Sequence, residues 1–476
     1  MIKSFLRDGF IYGLTNIIAR GLPLITLPIF TIYLAPSDFG IIDLAVVLTS
    51  IIKLTVALEI TQAIARFFSD ADTEEDKAIY ASTALWFSVA MYSLTISILL
   101  LFRSEIAAYV FSSEINSSLV IIILLTIWTE GLFYLMQTQL RYQLASSRYS
   151  RLTLSHAILS TTLALLLMSG FGMGVTGFFY GLFISGVVNL VFALLLVGRH
   201  LRFVFKWDVW KKMVTFSTPL VPSGIALFST TYIDRIFINY LMDLEQLGIY
   251  GVAYRIAMIA GVSFAGFQVA LMPLIYKHYH EPETPKHIEL IFRVLLSTVL
   301  PLLLLISLFS GELIELLSSE TFSPSASIIP WLGSAIILSY MNIFAPGLLL
   351  EKKTIHIMSI HIAAAVINAI LNLLLIPELG LLGAAIATCI SSVIVLCFYF
   401  MGNQRHYPVP YAWIPIFTAA FITAATIYMG SPMNLMERIS VFIIITSIVI
   451  MTLITRKEIS LAVGIIRRQF SRQTSP

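Results

Sequence analysis

The chain has 476 residues, of which 58% are hydrophobic and 12% charged, with a net charge of +3 and a mean hydropathy of +0.92. Soluble domains carry about 25% charged residues, so this composition excludes a water-soluble globule. The two cysteines, Cys389 and Cys397, lie in one apolar segment and point in different directions on a helix. They read as small buried hydrophobes, with no disulfide and no metal site expected.

Charge clusters and Gly/Pro breaks divide the chain into fourteen apolar stretches, most of them near the roughly 20 residues needed to cross a hydrocarbon core. In chain order these are 9–34, 40–67, 79–102, 118–140, 150–169, 175–198, 213–241, 246–275, 288–310, 326–350, 354–376, 379–401, 411–430 and 435–455. The start, MIKSFLR, runs into the first stretch without a short apolar core or a cleavage-site pattern, so that stretch is expected to be a retained span. Pro23 and Pro28 bend the first stretch, and Pro219 and Pro222 the seventh, because proline removes a backbone donor. Between the sixth and seventh lies RHLRFVFKWDVWKK (199–212), basic residues interleaved with Phe203, Phe205, Trp207 and Trp210. It is expected to form an amphipathic helix on an anionic membrane surface. The loop holding His278, His280 and His287 lacks metal-ligand spacing and reads as solvated.

A pattern from the first two stretches returns in the seventh and eighth. Phe30, Tyr33, Leu34, Gly40, Ile41 and Ala45 recur as Phe237, Tyr240, Leu241, Gly248, Ile249 and Ala253, with one extra turn residue in the second copy. Gly174 and Gly177 recur as Gly380 and Gly383, each pair after a leucine triplet. Two matches at nearly one offset indicate duplicated halves, an architecture in which transporters hold substrate between two lobes. Six helices per half make both halves enter from the same side. The expected fold is therefore an all-α integral membrane protein of about 14 transmembrane helices. It has two parallel-repeat six-helix lobes, 1–198 and 213–402, a basic aromatic linker, 199–212, and two further helices with a tail, 403–476.

Lys and Arg test the orientation. With the N-terminus inside, most of the 29 fall in cytoplasmic segments and only Arg103 and Arg438 on the opposite side. Both termini are thus expected to be cytoplasmic. The remaining six, Arg20, Lys53, Arg66, Arg235, Arg255 and Arg293, lie within apolar stretches. Arg66 and Arg293 are near an edge and are expected to snorkel.

Charge at membrane depth is costly and usually faces protein or a wet cavity. Thr55, Glu59, Gln62 and Arg66 share a helical spacing, as do Glu130, Tyr134, Gln137 and Arg141, and again His361, Ala365, Asn368 and Asn372. Asn16 with Arg20, His156 with Ser160, and Ser223 with Thr230 and Asp234 extend the set. So many polar stripes together suggest a shared aqueous lumen, with interhelical hydrogen bonding as the rival explanation. Arg20, Lys53 and Arg255 have no charged counterpart at the repeat-related positions, and either contact substrate or pair with Asp43, Glu59, Glu130 or Asp234. Asp234 and Arg235 point about 100° apart on a helix and are expected to pair with different neighbours.

The segment DRIFINYLMDLEQLGIYGVAYRIA (Asp234–Ala257) resembles the hallmark stretch of polysaccharide-biosynthesis flippases. These form the polysaccharide-transport branch of the multidrug/oligosaccharidyl-lipid/polysaccharide exporter superfamily. PLITLPIFTIYLAPSDFGIIDLAVV (Pro23–Val47) is similar to the opening helix pair of the same branch. The resemblance covers about 400 residues. It implies a Wzx-like O-antigen flippase in a bacterial cytoplasmic (inner) membrane, moving undecaprenyl-pyrophosphate-linked oligosaccharide by alternating access without a cofactor. Membrane lipids, a polysaccharide polymerase and a chain-length regulator are the partners it implies, and nucleic acid is not one.

Arg20, Lys53 and Arg255 are then the substrate-binding cations, since a diphosphate favours fixed positive charge and above all the forked donors of Arg. Glu59, Glu130, Asp234 and Arg235 are lumen or ion-coupling candidates. Fourteen spans exceed the twelve usual for O-antigen flippases, which keeps lipid II flippases in contention. A cation-coupled drug exporter would present mainly acids, whereas here cations slightly outnumber carboxylates in the apolar stretches. A membrane polymerase or ligase needs a large outer loop with catalytic residues; the stretch 311–325 offers Glu312, Glu315 and Glu320 without Lys, Arg or His, so no enzyme is expected.

Overall fold

In a computed structural model, described for residues 2–111, 115–198, 201–261, 264, 271, 275, 278–351, 353–429 and 433–454, the chain is helical, with no β-strand among the described residues. Ten helices are long and apolar enough to cross a membrane, or up to twelve if each of two bent pairs is one span. The apolar helix Trp413–Ile427 is shorter. The expected stretch 246–275 begins as a helix and continues partly outside the described residues. The protein is a multi-pass membrane protein.

In chain order the first helices are α1 (Ile2–Tyr33), α2 (Pro36–Thr55), α3 (Ile60–Ser69), α4 (Glu74–Leu101), α5 (Arg103–Tyr109) and α6 (Ser117–Tyr142). Then come α7 (Ser146–Leu165), α8 (Gly174–Val197), α9 (Trp207–Ser217), α10 (Val221–Leu241) and α11 (Leu244–Ala257). The chain goes on as α12 (Thr284–Leu308), α13 (Ser310–Leu317), α14 (Ile329–Tyr340) and α15 (Gly347–Leu350). It ends in α16 (Thr354–Leu379), α17 (Leu381–His406), α18 (Trp413–Met429) and α19 (Leu435–Leu453). These helices fall into two compact units. One comprises Met1–Arg255, Ile314–Ser325 and Met358–Ser391; the other comprises Ile256–Leu313, Ala326–Ile357 and Ser392–Pro476.

In the first unit α1 packs on α7, α7 and α6 on α8, and α10 on α2. Proline at the first position of α2 costs no hydrogen bond, because that N–H has no helical partner, and the Asp38 carboxylate accepts the Ala35 N–H at 3.0 Å. α2 then breaks inside an apolar run. Leu58 and Glu59 both have positive φ, 50° and 54°, and α3 departs at 50° to α2. The series Thr55, Glu59, Gln62 and Arg66 is therefore not one helical face. No Gly or Pro marks the break; left-handed backbone costs a non-glycine residue about 1–2 kcal/mol, which the packing of α3 on α4, α6 and α9 offsets.

The linker 199–212 also departs from expectation. Residues 201–206 are non-helical, and the helix starts only at Trp207, as the head of one long apolar run to Leu241. Side chains of α4 satisfy the extended segment: Arg202 N–H donates to Ser82 Oγ at 2.8 Å and Trp86 Nε1 donates to the Arg202 carbonyl at 3.1 Å. Backbone groups with partners outside a helix have no need to form one. Arg199 and His200 lie outside the described residues.

The repeated motif is realised as two hairpins, α1–α2 and α10–α11. Pro36 and Leu244 open equivalent helices after two non-helical residues, and the extra residue of the second copy lengthens α10. The repeated glycines touch reciprocally. A Cβ on Gly40 would collide with the Leu244 carbonyl, and one on Gly248 with the Pro36 carbonyl. Gly174 and Gly380 both take positive φ, 54° and 57°, as their helices begin. A Cβ on Gly177 would strike the backbone of Leu167, and one on Gly383 that of Leu375.

In the second unit α18 and α19 pack on α12. Arg293 is nearly buried and does not snorkel. Its guanidinium pairs with Glu289 at 2.6 Å and donates to the Leu453 carbonyl at 2.7 Å, because the last carbonyls of α19 lack helical partners and attract a cation. At the other end of α19, Asn434 and Glu437 form a reciprocal cap, with both bonds at 3.0 Å. Arg438 pairs with Glu312 at 2.6 Å.

Candidate functional site

The charges placed at membrane depth by the sequence meet carboxylates from other helices. On α2, Lys53 Nζ lies 3.6 Å from Glu130 Oε2 of α6. The other oxygen of Glu130 lies 2.9 Å from His156 Nε2 of α7. One carboxylate thus joins groups on three helices. Phe133 stacks on the imidazole at 4.1 Å, and the Tyr134 ring lies 5.7 Å from Lys53 Nζ. Lys53 and Glu130 also line a cavity of about 280 Å³, with Thr49, Ser50, Thr126 and Phe178 among its walls.

A second pair closes the crossing of the two hairpins. Arg255 Nη2 of α11 donates to Asp43 Oδ1 of α2 at 2.5 Å, and its guanidinium lies 5.3 Å from the Phe39 ring. Room for the carboxylate comes from Gly251, where a Cβ would overlap Asp43 Oδ2. The pair is single-pronged: Arg255 Nη1 and Asp43 Oδ2 are buried and make no hydrogen bond among the described residues. An unpaired buried donor of this kind costs about 1–3 kcal/mol unless a ligand or water meets it.

Asp234 and Arg235 do not seek different neighbours. Arg235 Nη1 folds back to Asp234 Oδ1 at 3.2 Å, and both side chains are almost fully buried. Aromatic rings hold the guanidinium there, Tyr254 at 4.4 Å and Tyr232 at 5.3 Å, while Tyr250 donates its hydroxyl to Asp234 Oδ2. A long side chain gripped by rings can reverse along its own helix, which a helical-wheel angle does not capture. Glu59 sits at the break between α2 and α3, sharing a small cleft with Lys53, Tyr92 and Tyr134. Arg20 belongs to α1, but its side chain lies outside the described residues.

The sequence therefore placed Glu130 on a polar face and Lys53 and Arg255 as cations within apolar stretches, but did not pair His156 with Glu130. The signal was present: the two residues lie at nearly equal distances on either side of the short Gln143–Ala145 turn between α6 and α7, which sets them at one depth on adjacent antiparallel helices. Not every polar stripe lines a cavity. On α16, Asn368 donates to Ser391 Oγ at 3.1 Å and Asn372 to Asn368 Oδ1 at 2.9 Å, so these residues bond helices together. In the second unit a cavity of about 1000 Å³ is lined by apolar side chains of α12, α14, α17 and α18 with no charged residue.

The chain is 21% identical over 435 residues, 88% of each protein, to the probable low-salt glycan biosynthesis flippase Agl15 of Haloferax volcanii, an archaeon. Its fold is similar to that of the lipid II flippase MurJ in an inward closed conformation. There the TM-score is 0.67 at 15% identity, over 94% of this chain and 97% of that one. It is also similar to an inward-facing multidrug resistance MATE family transporter of the MOP superfamily. That comparison gives a TM-score of 0.65 at 15% identity, over 81% of this chain and 94% of that one. These relatives are flippases and transporters rather than enzymes. The family described as polysaccharide biosynthesis protein matches residues 5–279, more than half of the sequence, and the chain belongs to that family.

Proposed function

We propose that the protein is a flippase that moves undecaprenyl-pyrophosphate-linked oligosaccharide, an O-antigen or related surface-polysaccharide unit, across a bacterial cytoplasmic membrane. In this reading the chain crosses the membrane fourteen times with both termini cytoplasmic. Lobes 1–198 and 213–402 alternate access, linked by 199–212 and followed by the two helices of 403–476. The observation that supports the reading is the buried Arg255 Nη1 beside Asp43, which has no hydrogen-bond partner among the described residues. In this reading that donor serves an anionic group of the substrate. Lys53, at the wall of a polar-edged cavity, supplies a second cation, and Arg20 a third. Together they suit a diphosphate, while the sugars require a hydrated lumen and the lipid tail stays among apolar surfaces.

A lipid II-type substrate is the second reading. It is supported by the likeness to the lipid II flippase MurJ, which spans 94% of this chain, against 81% for the multidrug transporter. A drug exporter fits the cationic positions less well. The test is export of surface polysaccharide by Arg20→Ala, Lys53→Ala and Arg255→Ala proteins whose membrane insertion is verified by immunoblot. The expected outcome is normal insertion with export reduced at least tenfold in the Arg255 variant; wild-type export by all three would remove the cationic-lumen reading.

A further inference from the structure

Glu130 stands between a permanent cation and a titratable one. Oε2 faces Lys53 and Oε1 faces His156, yet only Lys53 and Glu130 line the cavity, with His156 behind the carboxylate. With a neutral imidazole the three side chains sum to zero charge. With a proton on Nε2 they sum to +1, Glu130 is shared between two cations, and the surplus positive charge falls on the side of Lys53 that meets the cavity. The imidazole is the side chain whose ordinary titration, about 6.5, lies nearest neutral pH. Its stacking on Phe133 suits the charged ring, because the face of an aromatic ring attracts a cation.

Further polar side chains mark the same face of α7. Tyr149 donates to Asn16 Oδ1 at 3.1 Å, and Gln137 donates to Thr153 Oγ1 at 2.8 Å. Tyr149, Thr153 and His156 follow one another at helical spacing, starting near Arg141, whose guanidinium lies 5.5 Å from the Tyr149 ring.

We infer that His156 is a proton-binding switch which, through Glu130, sets how strongly Lys53 holds an anion in the adjoining cavity. The anion class is phosphate or diphosphate, and the inference rests on the cationic-site reading of Lys53 above. Proton and anion then bind together: each strengthens the other by the same factor. Among the described residues, the ionisable groups placed around His156 are Glu130 of α6, which pairs with it, Lys53 of α2 beyond that carboxylate, and Tyr149 of α7 with Arg141 of α6 two turns away. None of these is another histidine, so substitution at position 156 isolates the imidazole.

The experiment is titration calorimetry of the full chain in phosphatidylcholine nanodiscs with inorganic sulfate. Sulfate stays a dianion at both about pH 5.5 and about pH 8, on either side of the imidazole's ordinary value. Wild-type protein is expected to bind sulfate on the order of tenfold more tightly at the lower pH, a usual size for coupled sites. His156→Gln is expected to bind with one weak affinity at both pH values, and His156→Lys, with a fixed charge, with one tight affinity. Lys53→Met is expected to lose binding at both. A pH dependence that survives in either His156 variant overturns the switch and leaves the cationic site standing. Absence of sulfate binding by the wild type, or binding unchanged in Lys53→Met, overturns the Lys53 site and the switch with it.

Discussion

The two hairpins α1–α2 and α10–α11 share a residue pattern, and they differ in what they do with charge. Their backbones meet in a symmetric way, Gly40 against the start of α11 and Gly248 against the start of α2. Their ionisable residues have no such symmetry. Asp43 of the first copy corresponds to Gly251 in the second, and Arg255 of the second to Val47 in the first. The carboxylate therefore projects into the space that its own counterpart leaves empty, and meets an arginine that has no counterpart at all. The shared glycines allow the helices to approach closely, and the positions where the hairpins differ add a cation and an anion.

Breaking the duplicated contact is expected to have the largest effect. Gly40→Val or Gly248→Val forces a branched side chain into a carbonyl and should cost at least about 3 kcal/mol, read as loss of folded protein in thermal unfolding. Gly13→Val, with open space around it, should unfold near the wild-type temperature. Equal damage at Gly13 would mean that helix propensity, not the crossing, controls the result.

Breaking the unduplicated pair comes next. Asp43→Ala should destabilise by about 1–2 kcal/mol, discounted because Arg255 is 26% exposed and water relieves part of the loss. Arg255→Ala in the same background should add less than it does alone, and strict additivity in a double-mutant cycle would deny the coupling. Arg255→Lys keeps the charge but loses the fork, so export should fall severalfold, less than with alanine.

Smaller still are the other repeated positions. Gly174→Ala and Gly380→Ala should each cost about 1 kcal/mol, because both sit at positive φ where a Cβ is strained. A marked difference between them would show that the two copies are not equivalent there. Arg66→Ala, an exposed partner of Asp70, should change stability by less than about 0.5 kcal/mol.

Apolar length marked ten of the long helices, since a run of about 20 apolar residues between charge clusters reads as a span wherever it lies. The repeat was legible because glycine is required wherever backbones touch, and Gly40, Gly248, Gly177 and Gly383 are all such places. The break at Leu58–Glu59 was not legible: its cost is borne by neighbours remote in sequence, and neither residue type announces a turn. The fold-back of Arg235 depends on Tyr232 and Tyr254, and the extended start of the linker on Ser82 and Trp86 of α4. Residues on other turns or other helices decide such features, and no local window contains them. His156 lay between these cases, visible as a polar position and assignable only once α6 and α7 are set side by side.

The reciprocal glycine contact also orders events during synthesis. Gly40 emerges about 200 residues before Leu244, the residue it is shaped to meet. Until α11 is made, the groove on α2 has nothing to fill it, and Asp43 has no arginine beside it. The first hairpin must therefore wait in the membrane in a provisional packing, carrying an unpaired carboxylate that water or lipid headgroups have to tolerate. A chain stopped after α8 would keep that exposed groove for good, which makes the first half on its own a natural substrate for membrane quality control.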